Sequence, residues 1–241
     1  MATLLKRKDN ILIISLGGSV LVPDKINIRL IIKLKRLLTK IANKKKTKFV
    51  IVVGGGYPAR NYQAIAGKIN PHVSPFELDK IGIAATRFNA ELIRTIFGDL
   101  AAKEVIYSEK LLKKPKNKIT VVSGWIPGCS TDAIAIRTAK KLGLKLVIVA
   151  GRPDHVYTRD FTKFKDAKPF MSISWSHYRK LIPPIWYPGM PSPIDPIAAL
   201  EAQRNNIDAI VIGGKNMANL ESVLTGKKFK GTIISNKNLV L

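Results

Sequence analysis

The sequence predicts an α/β fold built on a mainly parallel sheet with helices on both faces. Short apolar runs rich in β-branched residues recur along the chain. Segments with helical spacing separate most of them, and several runs end in glycine clusters. Strands of this continuous apolar type are buried on both faces, and helices between them suit parallel crossovers. The length of 241 residues fits one large domain, or two lobes sharing one sheet.

ILIISL at 11–16 reads as a first buried strand running into Gly17, Gly18 and Ser19. Lys6, Arg7 and Lys8 ahead of it imitate the charged end of a signal peptide. Asp9 and Asn10 interrupt that boundary and no small-residue cleavage site follows, so a core strand is the better reading. Ile28, Ile31, Ile32, Leu34, Leu38 and Ile41 recur at helical spacing. After a charged turn, FVIVV at 49–53 is a second strand ending in Gly54, Gly55 and Gly56. Pro58 suits the first turn of the next helix, where its missing N–H costs nothing. Ile81, Ala85, Phe88, Leu92 and Ile96 mark a long helix from Phe76 to Phe97. Strands are predicted at 104–107 and 119–123, a helix from Thr131 to Leu142 and a strand at 144–150. Seven prolines make 151–193 the least regular part. A helix from Ile194 to Arg204, a strand at 208–214, a helix at 219–226 and a strand at 231–235 complete the pattern.

With 46% apolar residues the chain can build a core, which excludes a disordered basic tail despite a net charge of +25. Cys129 is the single cysteine, so no internal disulfide forms, and a cytoplasmic protein is expected. No apolar run approaches the roughly 20 residues of a membrane span. The lysine runs hold almost no aromatic residues and no nucleic-acid-reading motif. Solvated faces explain them better than a field for anionic substrates or RNA, and specific nucleic-acid binding is not expected.

Ligands of parallel sheets bind at the carboxyl ends of the strands. Two such ends carry GGS at 17–19 and GGG at 54–56, where backbone N–H groups can approach phosphate. Neither is the GxxxxGK[ST] loop or the GxGxxG fingerprint. SGWIPGCSTDA at 123–133 also leaves a strand and opens a helix. An ordinary N-cap explains Ser130, Thr131 and Asp132 taken alone, but the three loops together point to phosphate chemistry. His72, His155 and His177 lack metal-ligand spacing, so no metal site is expected.

The ordered motifs GGSVLVP, VVGGGYPARNY, IGIAATRFNAELI and GWIPGCSTDAIAI resemble the archaeal type of uridylate kinase, a branch of the amino acid kinase superfamily. DHVYTRD, IDPIAALEA, AIVIGG and LTGKKFKGTII continue the resemblance over nearly the whole chain. It implies a three-layer α/β sandwich, with an acceptor lobe at 1–143 and an ATP lobe at 144–241 of a single domain. It implies transfer of a phosphoryl group from ATP, with Mg²⁺, to UMP, and a homohexamer with contacts from the helices at 28–41 and 76–97.

Carried over by position, Gly17, Gly18 and Ser19 match the loop at the transferred phosphate, with Gly18 and Ser19 also toward ATP. Gly54, Gly55 and Gly56 match the loop between the nucleotides, and Arg60 the arginine gripping the UMP phosphate. Asp79 matches a ribose ligand, Trp125 and Thr131 the loop at uracil and its phosphate, and Asp132 an acid ordering charged groups at the reacting phosphates. Asp154, Tyr157 and Asp160 match the adenine-nucleotide segment. Arg87 and Asn89 are read as packing or subunit-contact residues, and Cys129 as a tolerated small residue.

The chain departs from the family at several points. Ser15 and Leu16 stand where many members carry a lysine before the first glycine loop. Arg152, His155 and Phe161 replace asparagine, glycine and proline of the usual ATP loop, and the histidine is expected to demand a different backbone path. A proline-rich WYPGMPSPID replaces a serine-rich loop. The alternative in the same fold is a non-catalytic binder of nucleotide or oxyanion, like the molybdenum storage proteins. An isopentenyl phosphate kinase is disfavoured by Tyr57-Pro58-Ala59-Arg60, which lacks that family's histidine.

Overall fold

A computed structural model describes residues 10–187, 190 and 192–237. The basic run at 6–8 and the prolines at 188 and 191 lie outside the described residues. The chain opens with β1 (Ile11–Leu16), a short α1 (Gly18–Leu21), α2 (Ile28–Lys45), β2 (Lys48–Val53), α3 (Gly56–Ile69) and α4 (Pro75–Phe97). β3 (Ile119–Val122), α5 (Thr131–Lys141) and β4 (Leu146–Gly151) follow. Then come β5 (Val156–Tyr157), β6 (Pro169–Phe170), β7 (Ser172–Ser174), α6 (Trp175–Leu181) and α7 (Pro196–Arg204). β8 (Asp208–Gly213), α8 (Met217–Thr225) and β9 (Thr232–Ser235) end the described elements.

Seven strands form one sheet in the order β3-β2-β1-β4-β8-β9-β7, and β5 and β6 form a separate antiparallel pair. Every neighbouring pair in the large sheet is parallel except β8 with β9. Side chains alternate across it. Leu12, Ile14 and Leu16 pack on one face with residues of α2, α4 and α8, while Ile11 and Ile13 pack on the other with α5, α6 and α7. This is the helix–sheet–helix layering that the sequence predicts.

Local chemistry sets the helix ends. Asn27 accepts from Leu30 N at the start of α2, and Lys46 closes it in the left-handed region. Ser74 caps α4 with Pro75 as its first residue, and Gly98 stops it at φ +54°. Asp195 caps α7 ahead of Pro196, so that helix starts two residues later than Ile194.

Two expectations are corrected. The predicted strand at 104–107 does not form. Ala101 pairs with Ile119 and Ile106 with Val122 as isolated bridges. Five positions on one side span three on the other, so the ladder breaks as the extra residues loop out. The irregular stretch at 151–193 supplies β7, which joins the sheet beside β9, and α6, whose Trp175 and Tyr178 are fully buried. Most of the apolar stripe of α2 is spent on its own core, with Leu30, Ile31, Leu34, Leu37, Leu38 and Ile41 buried, while Ile28 and Ile32 stay exposed. Further exposed apolar side chains lie on α3, at Tyr57, Tyr62, Ile65 and Ile69, and on α4, at Phe76 and Phe88. No helix among the described residues is long and apolar enough to cross a membrane.

Candidate active site

β1, β2 and β4 are parallel neighbours, so their carboxyl ends converge on one edge of the sheet. The loops leaving β1 and β2 interlock there. A Cβ on Gly18 would stand 2.1 Å from Gly56 N, and one on Gly54 would stand 2.4 Å from Gly18 N. Gly56 adopts φ +68°, which disfavours any other residue. The two backbones therefore meet with no side chain between them. Gly54 N donates to Leu16 O at 3.0 Å and Gly17 N to Ala150 O at 3.0 Å, which ties both loops to the strand ends.

One face of α4 fastens the surrounding loops. Asn89 is buried and donates from Nδ2 to Gly54 O and Gly55 O, each at 2.9 Å. Thr86 Oγ1 accepts from Gly124 N at 2.8 Å, and Asp79 Oδ2 accepts from Gly128 N at 2.6 Å. Burial pushes the Asp79 carboxyl above its ordinary value, with the Gly128 bond opposing. Asp79, Thr86 and Asn89 lie seven and then three residues apart, on the stripe that also buries Ile83, Ala90 and Ile93. Asn89, expected as a packing or contact residue, is thus a clamp on the second glycine loop. Its signal was a polar side chain in register with an apolar face. Arg87 points elsewhere, over the Tyr107 ring at 5.4 Å.

Two further residues escaped the sequence reading. Ser15, buried in β1, donates from Oγ to Asp132 Oδ1 at 2.7 Å. Asp195 is buried and accepts from Ser130 Oγ as well as from Ile197 N and Ala198 N. Ser130 in turn caps α5, accepting from Asp132 N and Ala133 N. Asp132 keeps some exposure as a residue, but its carboxyl lies deep, and desolvation pushes its pKa up to about 7, with Ser15 opposing and Asp195 reinforcing. Burial likewise raises Asp195. Two carboxylates with elevated proton affinity therefore stand close to the end of β1.

The remaining predicted residues fall as follows. Ser19 sits in α1 directly after the loop, and Thr131 is the first residue of α5. Among the described residues, Arg60 on α3 reaches only Pro23 O, at 3.5 Å. Burial, and then Arg152, hold its guanidinium below the ordinary value. Trp125 is 7% exposed and packs in the core with Cys129 and Ala133, so it seats the loop from inside, its indole N–H without a partner among the described residues. Asp154 Oδ1 accepts from the Tyr157 hydroxyl at 2.7 Å, and Tyr157 stacks on Phe161 at 4.7 Å. Asp160 accepts from Thr162 N at 2.9 Å and closes a local turn. His155 is buried, its Nδ1 3.2 Å from Asp154 Oδ1 but not aligned as a hydrogen bond. The histidine does not demand left-handed backbone: among the described residues only Lys46 and Asn206 combine a side chain with positive φ.

Among solved structures, the chain is similar to the uridylate kinase of Archaeoglobus fulgidus, with a TM-score of 0.76 at 29% identity, over 93% of this chain and 99% of that one. A UMP kinase from Bacillus anthracis, at 21% identity and a TM-score of 0.74, shares the fold. Among curated proteins, the uridylate kinase of Pyrococcus abyssi is 35% identical over 92% of this chain and 98% of its own length. That of Methanospirillum hungatei is 32% identical over 93% and 94%. These relatives are kinases by name, which does not favour the storage-type alternative. The amino acid kinase family model matches residues 10–213, from the start of β1 to the end of β8, and the chain belongs to the amino acid kinase family.

Proposed function

We propose that the protein transfers the terminal phosphoryl group of ATP to UMP, giving UDP and ADP. The observation that carries this reading is the pair of interlocked glycine loops, because only backbone lines the place where they meet. Such a surface lets N–H groups approach phosphate oxygens closely, and α3 begins at that point with no side-chain cap, while its Tyr57 N donates to Val22 O at 2.8 Å. The likeness to the uridylate kinases named above supplies the substrate pair.

In this reading the acceptor lobe at 1–143 binds UMP and the lobe at 144–241 binds ATP. Arg60, free of any acidic partner among the described residues, grips the UMP phosphate. Asp79 offers Oδ1 to the ribose while Oδ2 holds Gly128. Thr131 and the loop from Trp125 hold the phosphate and base, and Asp154, Tyr157 and Asp160 border the adenine nucleotide. Gly17, Gly18 and Ser19 lie against the transferred group. Asp132, held by Ser15, orders the charged groups around it. The acceptor oxygen is already ionised near neutral pH, so positioning and charge neutralisation carry the catalysis.

Magnesium would travel with ATP, held by phosphate oxygens and water, and offset phosphate charge. No group of three or more His, Cys, Asp or Glu side chains among the described residues forms a separate cage. We further propose a cytoplasmic homohexamer whose contacts come from the exposed apolar residues of α2, α3 and α4.

A coupled assay with Mg-ATP and a panel of nucleoside monophosphates tests the function. UMP should be the preferred acceptor, with CMP weaker. Turnover of another monophosphate without UMP would overturn the assignment. Light scattering tests the assembly, and a clean monomer at micromolar concentration would remove it.

A further inference from the structure

The charges at the glycine loops are not balanced. Arg152 follows Gly151, the last residue of β4. The Gly151 Cα lies 3.3 Å from the point where a Cβ on Gly17 would stand, so Arg152 leaves the sheet beside the first loop. Arg60 stands on α3, which begins at the second loop. Burial, and after it the positive charge of Arg152, disfavour the charge on Arg60. Among the described residues neither is in an ion pair.

Two of the acids nearby are engaged elsewhere. Asp154, two residues after Arg152, accepts from the Tyr157 hydroxyl and lies against His155. Asp132 faces Ser15. β1 itself offers no cation, since Ser15 and Leu16 precede the loop. Two like charges on neighbouring loops without a counter-charge are unfavourable in the empty protein. An anion of high charge placed between them reverses that sign, because each cation then meets opposite charge.

We propose that Arg152 is a catalytic residue: it contacts the phosphoryl group in transfer from the ATP side, while Arg60 holds the acceptor phosphate. The proposal rests on the kinase reading above. In the step, an oxygen of the UMP phosphate forms a bond to the terminal phosphorus of ATP. The bond from that phosphorus to the bridging oxygen breaks, and its electron pair leaves on ADP. Negative charge builds on the bridging oxygen and persists on the three equatorial oxygens. A guanidinium arriving from the end of β4 neutralises it with paired N–H donors, which a lysine ammonium does not reproduce.

The test compares Arg152→Ala and Arg152→Lys with the unaltered protein, measuring kcat with Mg-ATP and UMP, the Kd of UMP by calorimetry, and Tm. Arg152→Ala should lower kcat by about 100-fold or more, as for other lost donors to developing charge. The Kd of UMP should stay within about twofold and Tm should hold, because the side chain is exposed. Arg152→Lys should recover part of the loss by restoring charge without the fork. An active unaltered protein with an equally active Arg152→Ala removes the proposal and leaves the kinase reading standing. A loss of kcat accompanied by an equal loss in Arg152→Lys and a lowered Tm assigns Arg152 to structure and also overturns it. An unaltered protein that makes no UDP removes the reading, and the proposal with it.

Discussion

Replacing Asp132 by Asn should make the fold more stable at pH 8 and change it little at pH 4. An acid whose pKa is raised on folding is destabilised in its charged form. The unfolded group ionises near its ordinary value of 3.8 and the folded group near 7. Below the lower value both states are neutral and the penalty vanishes. It grows as pH rises between the two values and is complete above the higher one. The full displacement from 3.8 to about 7, at about 1.4 kcal/mol per pH unit, sets a ceiling on the order of 4 kcal/mol. Asn keeps an oxygen that can accept from Ser15, so most of the packing survives. We expect a gain of about 1–3 kcal/mol at pH 8, below that ceiling because water and small shifts relieve a buried charge. The gain should fade steadily as pH drops toward 4. Urea denaturation of both proteins at pH 4, 5, 6, 7 and 8 measures it, with UDP formation followed in parallel. Activity should fall in the variant even where stability rises. A variant destabilised equally at every pH would refute the argument, because the carboxyl would then be a satisfied structural group.

Four more outcomes follow from the geometry. Arg60→Ala should weaken UMP binding by about 1.5–3 kcal/mol in a calorimetric titration, the range for a lost charge-assisted hydrogen bond; unchanged binding would displace UMP from this loop. Gly18→Ala would push a methyl to 2.1 Å from Gly56 N and 2.7 Å from Gly54 C, so backbone must move. Thermal denaturation should show a loss of about 3 kcal/mol or more, and a wild-type Tm would contradict the interlock. Asn89→Ala leaves Gly54 O and Gly55 O without their side-chain donor and should cost about 1–3 kcal/mol, read as a lower urea midpoint and a raised KM for nucleotide. Burial pushes the Cys129 thiol up to about 11. Its labelling by a disulfide reagent at pH 8 should therefore be slow in the folded protein and speed up sharply in urea.

Much of this fold was legible because its strands are continuous apolar runs that end in glycine. Both glycine loops and the opening of α5 lie where the sequence places them. What it hid was whatever depended on a partner far along the chain. Ser172–Ser174 is a three-residue strand with polar ends, and it pairs only because β9 leaves an edge open beside it. The run at 104–107 has strand composition, yet its register against β3 is broken by the extra residues that loop out. Ser15 resembles a flaw in an apolar strand until Asp132, 117 positions on, is brought to its hydroxyl. Asn89 carries helix-interior signals, and nothing local says that its amide faces two carbonyls. Trp125 stands out in its loop by sequence, but the ring packs inward.

The place of β1 in the sheet has a consequence for synthesis. Its first neighbour, β2, follows within 40 residues, whereas its second, β4, pairs Val147 with Ile13, 134 positions later. At a ribosomal rate of about 5–20 residues per second, the second neighbour emerges roughly 7 to 27 seconds after the strand it must flank. Through that interval β1 carries an open edge of unpaired backbone N–H and C=O groups between mostly apolar side chains, and the chain cannot close its centre by local pairing alone. Such late, non-local strand pairing slows folding and exposes the nascent protein to aggregation. Release from the ribosome before β4 has emerged should yield an insoluble fragment. Pulse-labelled chains should become protease-resistant in the β1 region only after residues 146–151 have cleared the exit tunnel.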